Sequence, residues 1–512
     1  MEKRLLSPQH DLDQSSFPPY LVTYLYSGHF LARWGARMWE FSVGLYMISI
    51  WPESLLLAAI YGVVESSSTA LLGPIIGQLV DKLTYIQVLR LWLLTQNLSF
   101  IVAGATVTVL LSYRDLKAVN FSAFVSLISI INVSGAVGVL STLAGTILIE
   151  REWVVVISEG QPPGLLTRMN SVIRRVDLIC TLFAPVVSGF IISFVSLRAS
   201  SMALGLLNTV FVWFQYWLLV SVYNGIPALE ESSQRRLISK ASSSMGDETE
   251  QDSSPLVGEI SGSSGKDPST SSAESNRQEN IAQKISKVPI ISAWKVYLEQ
   301  EVLLPGVSLA LLYFTVLSFG TLMTATLEWQ GTPAFVIGIA RGVSATIGIA
   351  ATLVYPALQS NISTIRTGLW SIWSQWSFLL ICVASVWVKN SLVSAYMLMG
   401  GVAASRLGLW MFDLAVIQQM QDEVPESDRC VVGGVQNSLQ SILDLLSYVM
   451  GILISNPQDF WKLMVMSFLA VTLSTMLYTL HVYRVRKHLI HWEKIFCSAH
   501  FSTREGGIES RS

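Results

Sequence analysis

The chain has 512 residues, of which 51% are hydrophobic and only 13% charged, with a mean hydropathy of +0.51. A soluble chain of this length would carry about a quarter charged residues, and one anchor could not lift the whole average, so the apolar residues belong to many membrane spans. The formal net charge of −2 offers no basic face for a phosphate backbone, and neither a nucleic-acid binder nor a cytosolic enzyme fits.

The first residues, MEKRLLSPQHDLDQSS, contain acids and no apolar run before a small-residue cleavage site, so no cleaved signal is expected and residues 1–19 read as a tail. A span needs roughly 20 apolar residues. Six candidates lie near 20–48, 54–80, 86–111, 122–149, 170–196 and 199–223. Six more lie near 303–327, 334–356, 366–388, 391–421, 430–455 and 460–484. The expected fold is therefore an all-α integral membrane protein with twelve transmembrane helices, in halves 20–223 and 296–485, with a tail at 486–512. Between the halves, 224–295 is Ser-rich and poor in aromatics, and it reads as a disordered linker. An even span number puts both termini and this linker on one side. Lys3, Arg4, Arg235, Arg236, Arg484, Arg486 and Lys487 mark that side as cytoplasmic. Six plus six spans with a long central loop is the layout of major-facilitator transporters, whose halves rock about a midplane site. Gly77, Asp81 and Lys82, between spans two and three, fit the Gly-x-x-x-Asp-[Arg/Lys] pattern common there. The alternative for that stretch is an ordinary tight loop with a snorkelling Lys.

Ionisable side chains inside a span cost roughly 2.5–3.5 kcal/mol on insertion scales, so each is a functional candidate facing the interior. In span one, Arg33, Arg37 and Glu40 are spaced by four and three residues and share one helical face. Glu65 of span two lies at a depth comparable with Glu40, so two carboxylates could converge and hold a divalent metal or protons. Alternatively, Glu40 simply neutralises Arg37 or Arg33. Glu150, Arg151 and Glu152 end span four, and Asn170, Arg174, Arg175 and Asp177 open span five. Arg406 and Asp413 sit seven residues apart on one face of span ten, with Asp428 and Arg429 at the next helix start. Opposite charges of this kind can form a gate that is paired in one conformation and broken in another, or they can cap helices locally. In span seven, Gly320, Thr321 and Thr324 suit an unwound helix with free carbonyls. In span eleven, Asp444 is a mid-span carboxylate with Ser447 one turn away.

Other chemistries are excluded. Cys180, Cys382, Cys430 and Cys497 lack the spacing of a disulfide or zinc framework. GSSGK at 262–266 is not a P-loop, and HLIHWE at 488–493 is not a metalloprotease helix.

The segments YLYSGHFLARWGARMWEFSVGLY, NSVIRRVDLICTLFAP, RLGLWMFDLAVIQQMQ and GVQNSLQSILDLLSYVM resemble the ferroportins, solute carrier family 40, and most closely their plant branch. The resemblance runs through both halves and implies a secondary transporter, not an enzyme, that exports ferrous iron and other divalent metals such as cobalt through two metal sites, one per half. Animal members carry an Asp and a His around the Arg-Met-Trp of span one, where this chain has Ala36 and Glu40. At the second site, the animal Cys and His correspond to Thr321 and Ser447, while Asp444 persists. The implied metal ligands are thus Glu40, Glu65, Thr321, Asp444 and Ser447, an oxygen-rich set suited to harder ions, with Glu65 replacing the missing Asp. The implied gate comprises Asp81, Glu152, Asn170, Arg174, Arg406, Asp413 and Arg429, with Arg174 paired to Asp413 and Arg429 to Glu152. No resident cofactor is expected, since iron, cobalt or nickel is the cargo. A monomer in the plasma or vacuolar membrane is expected, and the loss of the span-seven Cys implies no regulation of the hepcidin type. Two rivals are a proton-coupled organic-solute carrier of the same architecture and a membrane receptor whose partners bind the linker.

Overall fold

A computed structural model describes residues 18–51, 56–113, 115–162, 164–236, 238, 289–319, 323, 326–327, 330–332, 334–454 and 457–486. The described residues form helices and turns and contain no strand. The first half contains α1 (Pro19–Ile50), α2 (Leu56–Lys82), α3 (Tyr85–Ser112), α4 (Phe121–Thr146), α5 (Leu165–Phe194) and α6 (Leu197–Gly225). The second contains α7 (Leu303–Leu311), α8 (Ala334–Ile362), α9 (Thr364–Ala384), α10 (Ser391–Glu423), α11 (Arg429–Leu453) and α12 (Phe460–Arg486). Polar caps set several starts. Thr84 and Gln87 form a reciprocal capping box on α3, while Asn120 and Asn390 accept from the first turns of α4 and α10.

By length and composition, nine helices among the described residues can cross a membrane. Two more, α1 and α11, have 32 and 25 residues but carry the charged and amide side chains that lower their hydropathy. Within the expected span 303–327 the first helix runs to Leu311, the backbone turns at 312–319, and Met323, Thr326 and Leu327 are again helical, while Gly320, Thr321 and Thr324 lie outside the described residues. Large apolar side chains such as Leu94, Leu98, Trp213 and Trp370 stand exposed around the bundle, as a lipid solvent requires.

The packing repeats at an interval of six helices. The pairs α1/α6, α3/α6, α3/α4 and α2/α4 recur as α7/α12, α9/α12, α9/α10 and α8/α10. The halves meet where α2 packs along α11 and α5 packs along α8. That α2/α11 seam depends on missing side chains. A Cβ on Gly77 would sit 2.5 Å from the Cys430 carbonyl oxygen, and one on Gly73 would sit 2.8 Å from that of Gly434. Small residues let the two backbones touch.

Two expectations about boundaries need correction. Span four does not end at 149. A π-helical turn, Ile147–Trp153, continues it into Val154–Ser158. Its wider winding brings the successive charges Glu150, Arg151 and Glu152, read from the sequence as the end of the span, into the interior. The linker is also shorter than 224–295. Residues 227–236 are helical with Ile226, Leu229 and Arg236 buried, and Pro289–Leu298 is a helix against α2 and α11. Residues 239–288 and the tails 1–17 and 487–512 lie outside the described residues.

The seam gives a prediction. Gly77→Val should destabilise the protein by about 1–3 kcal/mol, the usual cost of overpacking, and lower its melting temperature in detergent. Gly62→Val, with open space around its Cα, should leave melting unchanged.

Candidate functional site

Arg33, Arg37 and Glu40 share one face of α1, as their spacing requires. At 1.5 Å per residue, Glu40 lies about 15 Å from the Ile50 end of α1, and Glu65 about 14 Å from the Leu56 end of α2. Both acids line one cavity of about 260 Å3, together with Arg33, Arg37 and the hydroxyls of Ser66, Thr69, Thr142 and Ser441. Gly135 and Gly138 of α4 leave room on its far wall. Both readings of Glu40 hold geometrically. Its carboxylate accepts from Arg37 at 2.8 Å and yet is 58% exposed. Glu65 is half-buried and makes no ion pair among the described residues. The described residues contain no group of three or more His, Cys, Asp and Glu able to hold a metal ion. Any cation in this cavity would therefore meet carboxylates, hydroxyls and water, a hard oxygen set.

The end of the bundle that carries the 227–236 helix is sealed by charge, beginning next to the cavity. Asp177 of α5 accepts from Arg33 at 2.5–2.6 Å and has Arg37 and Arg174 each at 3.7 Å. Arg174 then crosses to the second half and meets Asp413 of α10 at 2.6 Å, the expected pair. One turn further out, the Asn170 amide donates to Gln421 at 2.5 Å, and Gln421 donates to the Glu150 carbonyl and back to Asn170. Thr167 donates to Gln418, and Arg175 donates to Thr352 of α8. His29 of α1 faces Glu150 at 4.0 Å. At the outer edge, Arg236 bonds Asp81 at 3.0 Å and Glu152 at 3.3 Å.

Several expected roles are redistributed. Arg429 does not pair with Glu152. Its Nε has no hydrogen-bond partner, and Arg236 occupies the position instead. Arg406 does not answer Asp413 although both lie on α10. It donates at 3.0 Å to the Leu317 carbonyl, in the turn that follows α7. Asp444 and Ser447, expected at a separate site in the second half, do not line the cavity of Glu40 and Glu65. The Ser447 hydroxyl donates to the Asp444 carbonyl of its own helix, and Ser447 lines a small pocket together with Phe314, Val316 and Ser467. The α11 residue that does reach the cavity is Ser441. Asp177 and Arg236 carry more of the network than the sequence reading assigned them. The buried stripe Ile226, Leu229, Ser233 and Arg236, at helical spacing, is the signal that could have found the latter.

A family model described as Ferroportin1 (FPN1) matches residues 19–471. The chain belongs to the ferroportin family. It is similar to solute carrier family 40 member 2 of Arabidopsis thaliana, 60% identical over 483 residues that cover 94% of this chain and 93% of that one. It is equally similar to solute carrier family 40 member 1 of Oryza sativa subsp. japonica, 62% identical over 478 residues and 93% of each chain. This ferroportin therefore sits with the plant branch. Among solved structures, a bacterial homologue of iron transporter ferroportin, in an outward-facing state with soaked iron, superposes with a TM-score of 0.71 at 22% identity. The alignment covers 90% of this chain and 99% of that chain. A Major Facilitator Superfamily transporter in the outward conformation gives a TM-score of 0.54 at 11% identity, covering 90% and 98%. The fold is thus an all-α, multi-pass membrane fold of major-facilitator type, and the family and fold are those of transporters rather than enzymes.

Asp177 is the anchor of the charged seal. Asp177→Ala leaves three guanidiniums without their shared carboxylate and is expected to cost about 3–5 kcal/mol, read as unfolding in detergent. Adding Arg33→Leu should return part of that loss, because one of the orphaned charges is gone.

Proposed function

We propose that this ferroportin exports a divalent metal, ferrous iron foremost and also cobalt and nickel, from the cytosol by alternating access, and so contributes to iron homeostasis. The observation that carries the reading is the cavity at mid-depth with Glu40 and Glu65 on its wall and no cation paired to Glu65 among the described residues. A carboxylate held inside a membrane bundle is stabilised by whatever cation enters. The family membership supports metal as that cation, as does the bacterial relative that was studied with soaked iron.

In this reading Glu40 and Glu65 are the principal ligands, and the neighbouring hydroxyls complete the shell with water. Glu40 is shared with Arg37, so the arriving ion exchanges with a guanidinium rather than entering a preformed cage. Asp444, Ser447 and Thr321 form a second station in the other half. The end bearing the 227–236 helix faces the cytosol, as the basic residues of that side suggest. The pairs of Arg174 with Asp413 and of Arg236 with Asp81 and Glu152 are closed in the state described and must part for the ion to enter. The working unit is a single chain in the plasma or vacuolar membrane, with no resident cofactor and no hepcidin-type ligand.

The test is flux of iron and cobalt in proteoliposomes at two pH values. Glu40→Ala and Glu65→Ala should each reduce flux by at least about tenfold, the scale that even outer-shell changes at metal sites reach. Because protons compete for carboxylates, lower pH should weaken metal uptake by the wild type and have little effect on what remains in the variants. Absence of metal flux in folded wild-type protein would overturn the reading and favour an organic-solute carrier.

A further inference from the structure

The 227–236 helix follows α6 but lies across the mouth of the sealed end. Its inner stripe is apolar at first, with Ile226 and Leu229 buried in the core of the first half. The stripe then turns polar, with Ser232, Ser233 and Arg236 all buried. Burying an arginine needs strong compensation, and Arg236 has it from three elements. Its guanidinium donates to the Asp81 carboxylate at 3.0 Å and the Asp81 carbonyl at 3.2 Å, both at the end of α2. It donates to Glu152, in the π-helical turn, at 3.3 Å, and to the Cys430 sulfur, at the start of α11, at 3.5 Å. It also lies 5.1 Å from the Tyr85 ring.

One of these contacts, to Cys430, crosses between the halves, and a second residue of the helix makes another. Cys430 itself donates to Glu152 at 3.2 Å. The Ser232 hydroxyl donates to Glu426, in the loop before α11, at 2.7 Å and lies 3.1 Å from the Tyr85 hydroxyl. Asp81 and Glu152, two carboxylates of the first half, are therefore held together at the seam by a cation that belongs to neither six-helix bundle. Without it, Glu152 would be a fully buried carboxylate whose nearest polar neighbours are Tyr85 and a thiol.

We propose that the 227–236 helix is a separate key in the gate, with Arg236 and Ser232 as positioning residues. Docked, they hold Asp81 and Glu152 in register with Cys430 and Glu426 and keep this end shut. Undocked, the two carboxylates repel each other and the α2/α11 seam opens. The consequence for transport rests on the alternating-access reading above, whereas the gate position can be read without any metal.

Cys430 is fully buried beneath Arg236 and reports on the seam. In the full chain with Cys180→Ala, Cys382→Ala and Cys497→Ser, Cys430 is the one remaining thiol. Its labelling rate by N-ethylmaleimide in proteoliposomes is the measurement. Arg236→Ala is expected to raise that rate by about tenfold or more, the scale of losing a buried charge partner. Arg236→Lys should restore most of the protection. Ser232→Glu, which sets a carboxylate against Glu426 with Arg236 intact, should also raise the rate and keeps the test valid if Arg236→Ala fails to fold. Cobalt flux in the same vesicles should fall in the variants that label faster. Unchanged labelling in folded Arg236→Ala and Ser232→Glu protein would overturn the proposal, even with flux reduced. Faster labelling in vesicles whose wild type carries no metal would support the key and sink only the transport reading.

Discussion

Asp177 is the charge on which the rest of the interior depends. It is surrounded by Arg33, Arg37 and Arg174, and two of these have a second obligation: Arg37 to Glu40, and Arg174 to Asp413 across the halves. Isolated, any of these ions would be too costly to keep in a membrane. Together they balance, with three guanidiniums against Asp177, Asp413 and Glu40. The balance is what leaves Glu65 distinct, as a carboxylate on the same cavity that the arginines do not pair. The proposed cation site and the proposed gate thus belong to one charge network, and moving one partner changes what its neighbour sees.

The geometry of the seam suits the switching that the proposed alternating access requires. The α2/α11 contact is built on Gly73, Gly77 and Gly434, so few side chains interlock there. What fixes the closed arrangement is polar: the Asn170 and Gln421 amides, the Arg174 and Asp413 pair, and the Arg236 cluster at the rim. Polar contacts of this kind exchange for water when the halves part, at a cost far below that of tearing a packed apolar core. The π-helical turn contributes by aiming Glu150, Arg151 and Glu152 inward from consecutive positions.

Much of this is legible in the sequence. Hydropathy gave the two halves, because a membrane demands long apolar helices, and the spacing of Arg33, Arg37 and Glu40 gave their common face. The matched depth of Glu40 and Glu65 followed from counting residues along helices of known rise. What the sequence concealed were effects that need three dimensions. Arg236 read as a soluble, topology-marking charge because its partners, Asp81 and Glu152, lie 155 and 84 positions away in the chain. Arg429 read as the partner of Glu152 by resemblance to the family's gating network, whereas its neighbour Cys430 is the residue that reaches Glu152. The run Glu150 to Glu152 read as the end of a span because an α-helix would have turned one of the three outward, and the change of helix type carries no compositional mark. Asp444 and Ser447 read as a separate second-half site from mid-span position and family resemblance, and what the sequence did not reveal is that their helix also sends Ser441 to the Glu40 and Glu65 cavity.

The central claim is that the cation rests between Glu40 and Glu65. Anomalous scattering from crystals or single-wavelength data sets of the protein loaded with cobalt or manganese tests it most directly. The account predicts a peak inside the cavity, within bonding distance of both carboxylates, that disappears in Glu65→Gln protein. A peak elsewhere in the bundle, with this cavity empty and both carboxylates unmoved, would contradict it.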